Sequence, residues 1–457
     1  MNKRFFSALM ALLLVLTVMP VVHAEADPIK NAVVEDYNQN DYQKIVSFLE
    51  IVDQDGVKNG EKLNPDYDPS DPETWGETEY GDPRTEWMTS DGEYRLYRVD
   101  LCNADQVGFL DLSECSMLNA LLCSGNSIEG IDIGGCEELE NLYCSFNNIN
   151  ELDVSENINL KSLDFDSNEV CEIILNNNTR LEYLDCGYNM LCELDVSDNT
   201  SLDMLYCFGN RLTHLDVSNN SVLEVLSCSE NRLTEINTHG NPLLWIFECC
   251  DNQISELDLT SNSNLWQFLC SNNMLTELNI SENTNLMAVY CDGNQLSEID
   301  LSYNPDLEEL DCRNNPLHLV DLSNNDNIDF SIVTSEGGGT IGLCCGWWSI
   351  ITACPDPGYA FEGWYDQSGV FVSDEESYEL QESDGDYFSA RFVAVSPAGD
   401  VDGDGSVTMA DALMALRAGM DLIDLTPEQA EAADMNGDGA VDLVDALLIL
   451  RTAMGII

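Results

Sequence analysis

The sequence is poor in positive charge. Among its 457 residues, 17 are Lys or Arg and 84 are Asp or Glu, so the formal net charge is −67. Its isoelectric point is about 4.1. Binding a phosphate backbone needs clustered Lys and Arg, and a surface this acidic repels a polyanion. Nucleic acid is therefore excluded as a ligand class.

Histidine is also scarce, with 4 residues in the chain. His214, His239 and His318 fall at three different phases of the repeat described below, so no Ser-His-Asp nucleophile stands out. No pair of carboxylates is set apart as the opposed acid and base of a glycosidase. We therefore expect a protein without catalytic residues.

Long apolar runs are confined to the N-terminus. Residues 1–24 begin with Lys3 and Arg4, continue through the apolar run from Ala8 to Val22, and end in the small residue Ala24. The run is short for a membrane span and is interrupted by a proline. This pattern is typical of a secretory signal peptide, so we expect a secreted, extracellular protein with no membrane insertion in the mature chain.

Cysteine is plentiful, with 18 residues, and most of it is periodic. One 21-residue register holds Cys102, Cys123, Cys144, Cys186, Cys207, Cys228, Cys249, Cys270, Cys291 and Cys312, with Phe165 in the missing place. An Asn follows three residues after nearly every member, and an aliphatic residue precedes it by five. One such coil cannot bury its own apolar strip, so the coils stack and their strands pair in parallel. The sequence therefore predicts a β-dominated solenoid with an inward Asn ladder.

The cysteine column has two interpretations. One Cys per coil at a fixed inward position is expected of small buried thiols, whereas a metal site needs ligands that converge from closer spacings. We favour packing. Some other cysteines leave a disulfide open as an alternative, because an exported protein can form one. These are Cys115 with Cys136, Cys171 with Cys192, and Cys344 or Cys345 with Cys354.

The repeat, written L-x-x-L-x-C-x-x-N-x-L, resembles the leucine-rich repeat. Cys in the place of a Leu is similar to the cysteine ladder of internalin-like bacterial surface proteins, and the resemblance covers residues 101–323. It implies an α/β solenoid dominated by β, with one parallel sheet. In such a solenoid a ligand binds to the strand face that the core does not use. We expect a protein or glycan ligand there, contacted by aromatic residues interspersed with carboxylates such as Asp164 and Asp185. The aromatic candidates are Tyr143, Tyr183, Tyr206, Phe208 and Tyr290.

Two segments flank the repeat. In residues 25–100, Asn40 and Gln43 resemble a capping box and predict a short helix over residues 41–51 that covers the open first coil. Residues 324–396 show short alternating runs typical of β-strands. There, Tyr359 to Tyr365 and the later Ser389 to Phe392 are similar to a small β-rich repeat of bacterial surface proteins, so we expect a small all-β domain.

Two acidic loops, 34 residues apart, lie in residues 397–457. Each places oxygen donors at positions 1, 3, 5, 9 and 12 with Gly at 6, and position 7 offers its backbone carbonyl, as Ca²⁺ requires. The first set is Asp400, Asp402, Asp404, Ser406, Thr408 and Asp411. The second set is Asp434, Asn436, Asp438, Ala440, Asp442 and Asp445. Duplication by chance is very improbable, and the sequence predicts two bound calcium ions. An apolar helix follows each loop, at residues 412–420 and 446–454, and Thr426, Pro427 and Gln429 predict the start of a linker helix.

Asp at position 12, a single helix per loop and the duplication resemble the type I-like dockerin module of polysaccharide-degrading complexes. The resemblance implies a small α-helical calcium-binding module that docks onto a cohesin of a scaffold protein. Either copy would be able to face the partner. The positions that read the cohesin are here Met409, Ala410, Arg417, Leu443, Val444 and Arg451.

Together these segments predict a signal peptide (1–24), an N-terminal cap (25–100), a solenoid (101–323), a β-rich domain (324–396) and a dockerin (397–457). They leave no room for a hydrolase domain. We therefore expect a non-catalytic subunit held on a cell-surface or free cellulosome-like scaffold, otherwise monomeric. Two alternatives remain open: a host- or cell-directed surface adhesin, and an accessory of polysaccharide breakdown with hydrolase activity.

Overall fold

The computed structural model describes residues 36–78, 80–325, 327–328, 332–345, 349–356, 359–380, 387–394 and 397–456. The predicted signal peptide lies outside the described residues. The chain divides into two compact units, one ending at Arg211 and the other beginning at Leu212. Within the described residues, no helix has the length and apolar character needed to cross a bilayer.

The first unit carries the N-terminal cap and the first coils. Its helices are α1 (Gln39–Leu49) and α2 (Asn59–Leu63). Its strands are β1 (Thr85–Ser90), β2 (Glu93–Asp100), β3 (Val107–Asp111), β4 (Ala120–Leu122), β5 (Ser127–Asp132), β6 (Asn141–Tyr143), β7 (Ser162–Asp164), β8 (Tyr183–Asp185) and β9 (Met204–Tyr206). The main sheet runs β1-β2-β4-β6-β7-β8-β9, parallel after the β1–β2 hairpin. Strands β3 and β5 form a small parallel pair.

The second unit carries the later coils, the β-rich segment and the C-terminal helices. Its coil strands are β10 (Val225–Ser227), β11 (Ile246–Glu248), β12 (Gln267–Leu269), β13 (Ala288–Tyr290), β14 (Glu309–Asp311) and β15 (Leu319–Asp321). The β-rich strands are β16 (Ile332–Ser335), β17 (Gly339–Cys345), β18 (Ile350–Pro355), β19 (Tyr359–Tyr365), β20 (Phe371–Ser373), β21 (Ser377–Glu379) and β22 (Tyr387–Ala394). The helices are α3 (Met409–Gly419), α4 (Pro427–Ala433) and α5 (Leu443–Ala453). Here β10 to β14 are parallel, β17 adds to β14 in the antiparallel sense, and a second sheet runs β15-β16-β22-β19-β20.

The 21-residue period sets the register of the parallel strands. Leu142, Leu163 and Leu184 are direct partners on neighbouring strands, and all three are fully buried. Cys144 is equally buried, and Phe165 fills the place of the absent cysteine. The predicted β-dominated repeat solenoid with a small helical C-terminal region is confirmed.

The N-terminal helix begins two residues earlier than the sequence predicts. Asn38, not Asn40, is the N-cap, and its side chain accepts from the backbone N–H groups of Asn40 and Asp41. This choice frees Asp41, which is fully buried, to accept from Arg95 Nε at 2.9 Å and from the backbone N–H of Leu96 at 3.1 Å. The helix is thereby fixed to strand β2.

The small β-rich segment pairs the two stretches that carry the aromatic motif. Strand β19, which holds Trp364, is antiparallel to β22, with Trp364 opposite Ala390. Both residues are fully buried, and the indole N–H of Trp364 donates to the carbonyl of Glu375 at 3.1 Å. Trp364 is therefore a core residue of this sheet.

Candidate calcium loops and binding surfaces

The first acidic loop is held closed by its first aspartate. Asp400 Oδ1 accepts from the backbone N–H groups of Gly403 (2.9 Å) and Asp404 (3.1 Å), and its Oδ2 accepts from Gly405 (2.9 Å). Gly405 adopts φ +90°, which an L residue rarely tolerates. Asp400, Asp402 and Asp411 each bring one carboxylate oxygen within 4.8 Å of the other two. Loop positions 1, 3 and 12 thus converge.

The position-12 aspartate joins the loop to the helix that follows. Asp411 is fully buried and accepts from the N–H groups of Val401 and Asp402 on one oxygen, and from the N–H and hydroxyl of Thr408 on the other. Burial alone raises the pKa of Asp411, but these backbone donors and the hydroxyl outweigh it and lower that pKa. The group is therefore a carboxylate at neutral pH.

The helix consequently starts inside the loop. Thr408 is the N-cap of α3 and its side chain accepts from Ala410, so α3 begins at Met409, three residues before the predicted start. The second loop behaves in the same way, with Asp442 as the N-cap of α5. The predicted linker helix is confirmed, with Thr426 as N-cap and Gln429 closing the capping box.

The second loop repeats the hydrogen bonds of the first at a distance of 34 residues. Asp434 accepts from the N–H groups of Asp438 (3.1 Å) and Gly439 (2.8 Å), and Asp445 from those of Asn436 (3.2 Å) and Asp442 (2.9 Å). Position 3 is the amide Asn436, so this loop has one fewer negative charge there than the first. Carboxylate, amide and carbonyl oxygens are the hard ligands that Ca²⁺ prefers, and both loops therefore fit that ion.

Burial and charge repulsion within the first loop affect the pKa of Asp402. Desolvation, and then the charges of Asp411, Asp404 and Asp400, raise the pKa of Asp402.

The core beneath the loops is small and rich in alanine. It consists of Val401, Ala412, Ala415, Ala433, Ala446 and Ile449. So small a core gives little stability of its own, which favours folding coupled to metal binding.

The predicted cohesin-reading residues lie on the surface. The exposed fraction is 70% for Met409, 69% for Leu443 and 51% for Val444. Ala410, Arg417 and Arg451 are exposed as well. Sequence reasoning missed four further exposed apolar residues at the same helical spacing. They are Leu413 on α3 and Leu447 on α5, together with Met420 and Met454, the C-cap residues of these two helices. Their signal was the 34-residue duplication, because 413 maps onto 447 and 420 onto 454.

On the strand face, two of the five predicted ligand aromatics are buried rather than exposed. Tyr183 is 6% exposed and Tyr206 is 5% exposed. Their rings lie 5.8 Å apart between centroids on neighbouring strands, so each covers the other. Tyr143 and Phe208 are partly exposed.

The remaining predicted aromatic, Tyr290, lies in the second unit. It is partly exposed and donates its hydroxyl hydrogen to Glu309.

Two exposed aromatic residues of the first unit were not predicted from the sequence. They are Phe146 and Tyr188, and each follows a register position by two residues. Each has a positive φ, of 53° and 41° respectively, at the turn where the strand ends.

Three carboxylates lie among the aromatic residues on the strand face of the first unit. Asp164 and Asp185 are partners on β7 and β8. Asp166 was not predicted from the sequence. It is 9% exposed, and its charge contributes, after burial and Asp164, to raising the pKa of Asp185. The structure therefore brings together three acidic side chains among Tyr143, Tyr183, Tyr206 and Phe208.

The cysteine pairs that remained open are thiols in the structure. Cys115 and Cys136 are buried, and Cys136 Sγ donates to the carbonyl of Leu112 at 3.1 Å. Cys171 and Cys192 are exposed thiols. Cys345 and Cys354 are thiols as well. Burial raises the pKa of the column thiols, for example that of Cys144, which is consistent with packing.

Comparison with known proteins agrees with this geometry. Residues 398–452 match the family model of the dockerin type I domain. The functional domain of InlJ from Listeria monocytogenes, described as including a cysteine ladder, is 29% identical; the match covers 66% of this chain and 72% of that one, with a TM-score of 0.51. No curated protein sequence matches the chain.

Two further solved structures are similar at lower identity. A leucine-rich repeat protein of Leptospira interrogans is 16% identical over 50% of this chain and 76% of that one, with a TM-score of 0.40. The internalin InlF of Listeria monocytogenes is 18% identical over 51% and 84%, with a TM-score of 0.38. The chain carries a dockerin type I domain, and its leucine-rich repeat is similar to the cysteine-ladder domain of the internalin InlJ.

Proposed function

We propose that this protein is a secreted, non-catalytic binding subunit that docks onto a cohesin of a cellulosome-like scaffold and presents its solenoid to a protein or glycan. Dockerin type I domains bind calcium, and a dockerin implies a cohesin partner. The leucine-rich repeat and the dockerin are both binding folds without catalytic function. The observation that carries the proposal is the duplicated loop-and-helix unit with exposed apolar residues at matching positions.

Two calcium ions fit the two loops. In the first, Asp400, Asp402, Asp404 and Asp411 would supply carboxylate oxygens, and Ser406 its backbone carbonyl. In the second, Asp434, Asp438 and Asp445 would supply carboxylate oxygens, Asn436 its side-chain amide oxygen, and Ala440 its backbone carbonyl. Bound calcium supplies positive charge that cancels the repulsion among these groups. The chain's own part is to orient the oxygens, through the backbone N–H donors that converge on positions 1 and 12.

The docking surface would be either helix of the pair. On α3, Met409 and Leu413 form an apolar strip with Arg417 farther along the helix, and α5 repeats the arrangement with Leu443 and Leu447. Exposed large apolar residues in such an acidic chain cost solubility unless a partner covers them. Each copy therefore offers one complete docking face.

Calcium dependence is tested with full-length protein on an immobilised type I cohesin. We expect capture in calcium, loss of capture in a chelator, and loss of capture for the double variant Asp400→Ala/Asp434→Ala, since each change removes the residue that closes a loop. Glu431→Ala, an exposed acidic change on α4, is the matched control. Isothermal titration should count two calcium ions in the wild type. Equal capture with and without calcium would contradict the proposal.

The two docking faces are tested by charge substitution. We expect Met409→Asp and Leu443→Asp each to leave capture through the other copy, while the double variant loses it. All three variants should still bind calcium, because neither residue belongs to a loop's ligand set. Complete loss of capture in one single variant would show that only one face docks.

The solenoid's ligand is tested by capture on the strand face. Full-length protein held on the cohesin should bind its target in the wild type and lose it when Tyr143 and Phe208 are both changed to Ala, because these are partly exposed aromatics of that face. Release of sugar from any glycan by the purified protein would contradict the assignment as non-catalytic.

A further inference from the structure

The strand face of the first unit holds three carboxylates in one place. Asp164 and Asp185 are direct partners on the neighbouring parallel strands β7 and β8. Asp164 Oδ1 accepts from the backbone N–H of Asp166 at 3.1 Å, and Asp185 Oδ1 accepts from that of Gly187 at 3.0 Å. The third carboxylate, of Asp166, follows at the end of β7. Three acidic side chains thus occupy two adjacent coils.

One oxygen of this cluster is buried and has no partner. Asp166 is 9% exposed; its Oδ2 accepts from the Ser167 hydroxyl at 3.0 Å, but its Oδ1 is buried without a hydrogen bond. That oxygen points over Gly187: a Cβ built on Gly187 would lie 2.9 Å from Asp166 Oδ1 and 2.7 Å from Phe208 Cζ. Asp166 Oδ1 and the Phe208 ring therefore both lie close to Gly187, whose backbone N–H donates to Asp185. A buried acceptor of this kind is costly unless something donates to it.

The described part of the chain gives these carboxylates no cationic partner. Among the described residues, no Lys or Arg forms a salt bridge with any of the three. The nearby Lys161 pairs instead with Glu140 at 3.0 Å, and Arg180 donates to Asn159 at 2.8 Å. Dehydrated carboxylates without a counter-charge are unfavourable, and proteins ordinarily pair them.

The raised pKa values of the three carboxyl groups agree with the lack of a cationic partner. Burial, and then mutual repulsion, raises the pKa of Asp164 to about 7, and burial raises that of Asp166 to about 6. The pKa of Asp185 is raised well above its ordinary value, by burial first and then by Asp164 and Asp166. Six tyrosine and cysteine side chains of the described residues also interact with the three carboxylates. They are Tyr143, Tyr183, Cys123, Cys144, Cys186 and Cys207.

Aromatic rings form the walls around the cluster. In the strand register Tyr143 lies beside Asp164, and Tyr206 lies beside Asp185. Phe208 packs edge-on against the exposed Tyr188, with ring centroids 5.1 Å apart. Aromatic faces attract organic cations, most strongly where water is excluded.

The spacing favours an organic cation over a metal ion. A metal needs oxygens that converge on one point at about 2.0–2.6 Å. Among the described residues, Asp400, Asp402 and Asp411 are the one group of three such side chains whose ligand atoms all lie within 4.8 Å of one another. The carboxylates of the strand face are more widely separated. A group with several N–H donors spread over a few ångströms can reach all three.

We propose that Asp164, Asp166 and Asp185, with their aromatic neighbours, bind the ammonium or guanidinium group of a basic ligand. This rests on the proposed function of the solenoid as a ligand-binding surface and names the chemistry of that ligand. The unpartnered oxygen of Asp166 accepts one N–H of the cation, and the partnered strands place the other two carboxylates beside it.

Calorimetric titration of the full-length protein in saturating calcium tests the site. The probes are ethylguanidinium, ethylammonium, neutral N-ethylurea, and a short peptide containing Lys and Arg. We expect the cationic probes to bind and N-ethylurea not to bind. Asp166→Asn and Asp185→Asn should weaken binding at least about tenfold, because each replaces a carboxylate that contacts the cation by a neutral amide. Asp153→Asn, an outer-turn aspartate that accepts from Ser155 at 2.9 Å, should bind like the wild type.

The two sources of the cation are distinguished by the probes. Binding of the peptide alone assigns the site to a side chain of a protein partner, and equal binding of the small cations assigns it to a free amine or guanidine; both support a cation site. Equal binding of N-ethylurea, or equal affinity in the wild type and both cluster variants, would overturn it. So would no binding of any probe up to its solubility. Far-UV circular dichroism confirms folding, and Asp164→Asn is the substitute if one variant does not fold.

A pH series gives an independent readout. Because the cluster retains protons when free, cation binding must release them, so affinity should rise between pH 5 and pH 8 and the heat of binding should depend on the buffer. An affinity that is flat over this range would contradict the site. Cohesin capture by the same variants should be unchanged. Failure of cation binding with intact cohesin capture would remove this inference alone, whereas failed capture would remove the docking proposal.

Discussion

The inward Asn ladder makes a quantitative prediction about the solenoid. Asn168 Nδ2 donates to the carbonyls of Phe165 (3.0 Å) and Asp166 (3.2 Å) in its own coil and of Cys144 (3.0 Å) in the preceding coil. Its Oδ1 accepts from the backbone N–H of Ile149 in the preceding coil at 2.9 Å. Asn168 is 8% exposed and Ile149 is fully buried, so water does not replace these bonds readily. One side chain therefore serves two coils.

Replacing Asn168 by Ala leaves the buried N–H of Ile149 unpaired, whereas the carbonyl of Cys144 still accepts from Asn147 Nδ2 at 3.0 Å. A buried unsatisfied group costs about 1–3 kcal/mol, so the expected loss in the free energy of unfolding is about 1–3 kcal/mol. A water that enters the space left by the amide would move the value toward the lower end. Since each coil is stabilised by its neighbours, the loss weakens the interface between this coil and the preceding one.

Urea unfolding in saturating calcium, followed by far-UV circular dichroism, measures the effect. Asn177→Ala is the matched control, because Asn177 also donates to the preceding coil, to the carbonyl of Ser155 at 3.0 Å, but is exposed. Surface changes of this kind are usually within about 0.5 kcal/mol. Hydrogen exchange at Ile149 should accelerate in Asn168→Ala alone. If both variants lose the same small amount, the ladder is not the source of coil-to-coil stability.

Two further predictions concern the cap and the cysteines. Asp41→Ala leaves Arg95 and the N–H of Leu96 without their buried carboxylate, so the cap should lose about 3 kcal/mol in urea unfolding, and an unchanged midpoint would contradict the pairing. In native protein at pH 8, iodoacetamide should label the exposed Cys171 and Cys192, whereas Cys144, whose pKa burial raises, should react only after denaturation, as read by mass spectrometry. Rapid native labelling of Cys144 would show that the column is open to solvent.

Much of the fold could be predicted because periodicity is a direct consequence of stacking. A residue that recurs every 21 positions must meet its own copy in the next coil, so the inward Leu, Cys and Asn were identified from sequence alone. Helix boundaries were less accurate. The sequence placed α3 after its calcium loop, yet Thr408 serves both as a loop residue and as the N-cap, so the helix starts at Met409. Because Thr408 belongs to both the loop and the helix cap, the loop motif alone does not show where the helix begins.

The strand face was harder to predict than the core. Sequence reasoning treated Tyr183 and Tyr206 as exposed because their strand positions face away from the interior. Their burial depends on which large side chain the next coil carries, which is not a property of the repeat itself. The role of Asp166 was missed for the same reason, because Gly187 in the following coil leaves its Oδ1 without a partner. Neighbour pairs across coils, rather than single positions, determine this surface.

The third strand residue shows how this fold treats a buried carboxylate in two ways. At Asp311, which is 1% exposed, Arg313 donates from Nε at 3.0 Å and from a terminal nitrogen at 2.7 Å, so the chain provides its own counter-charge two residues away. At Asp185 the residue two positions later is Gly187, and no basic side chain in the described residues pairs with the carboxylate. The same strand position is thus compensated from within in one coil and left uncompensated in another. Because neighbouring coils stabilise each other, the solenoid tolerates the free-energy cost of burying Asp185 without a counter-charge. A cation from a ligand would offset that cost.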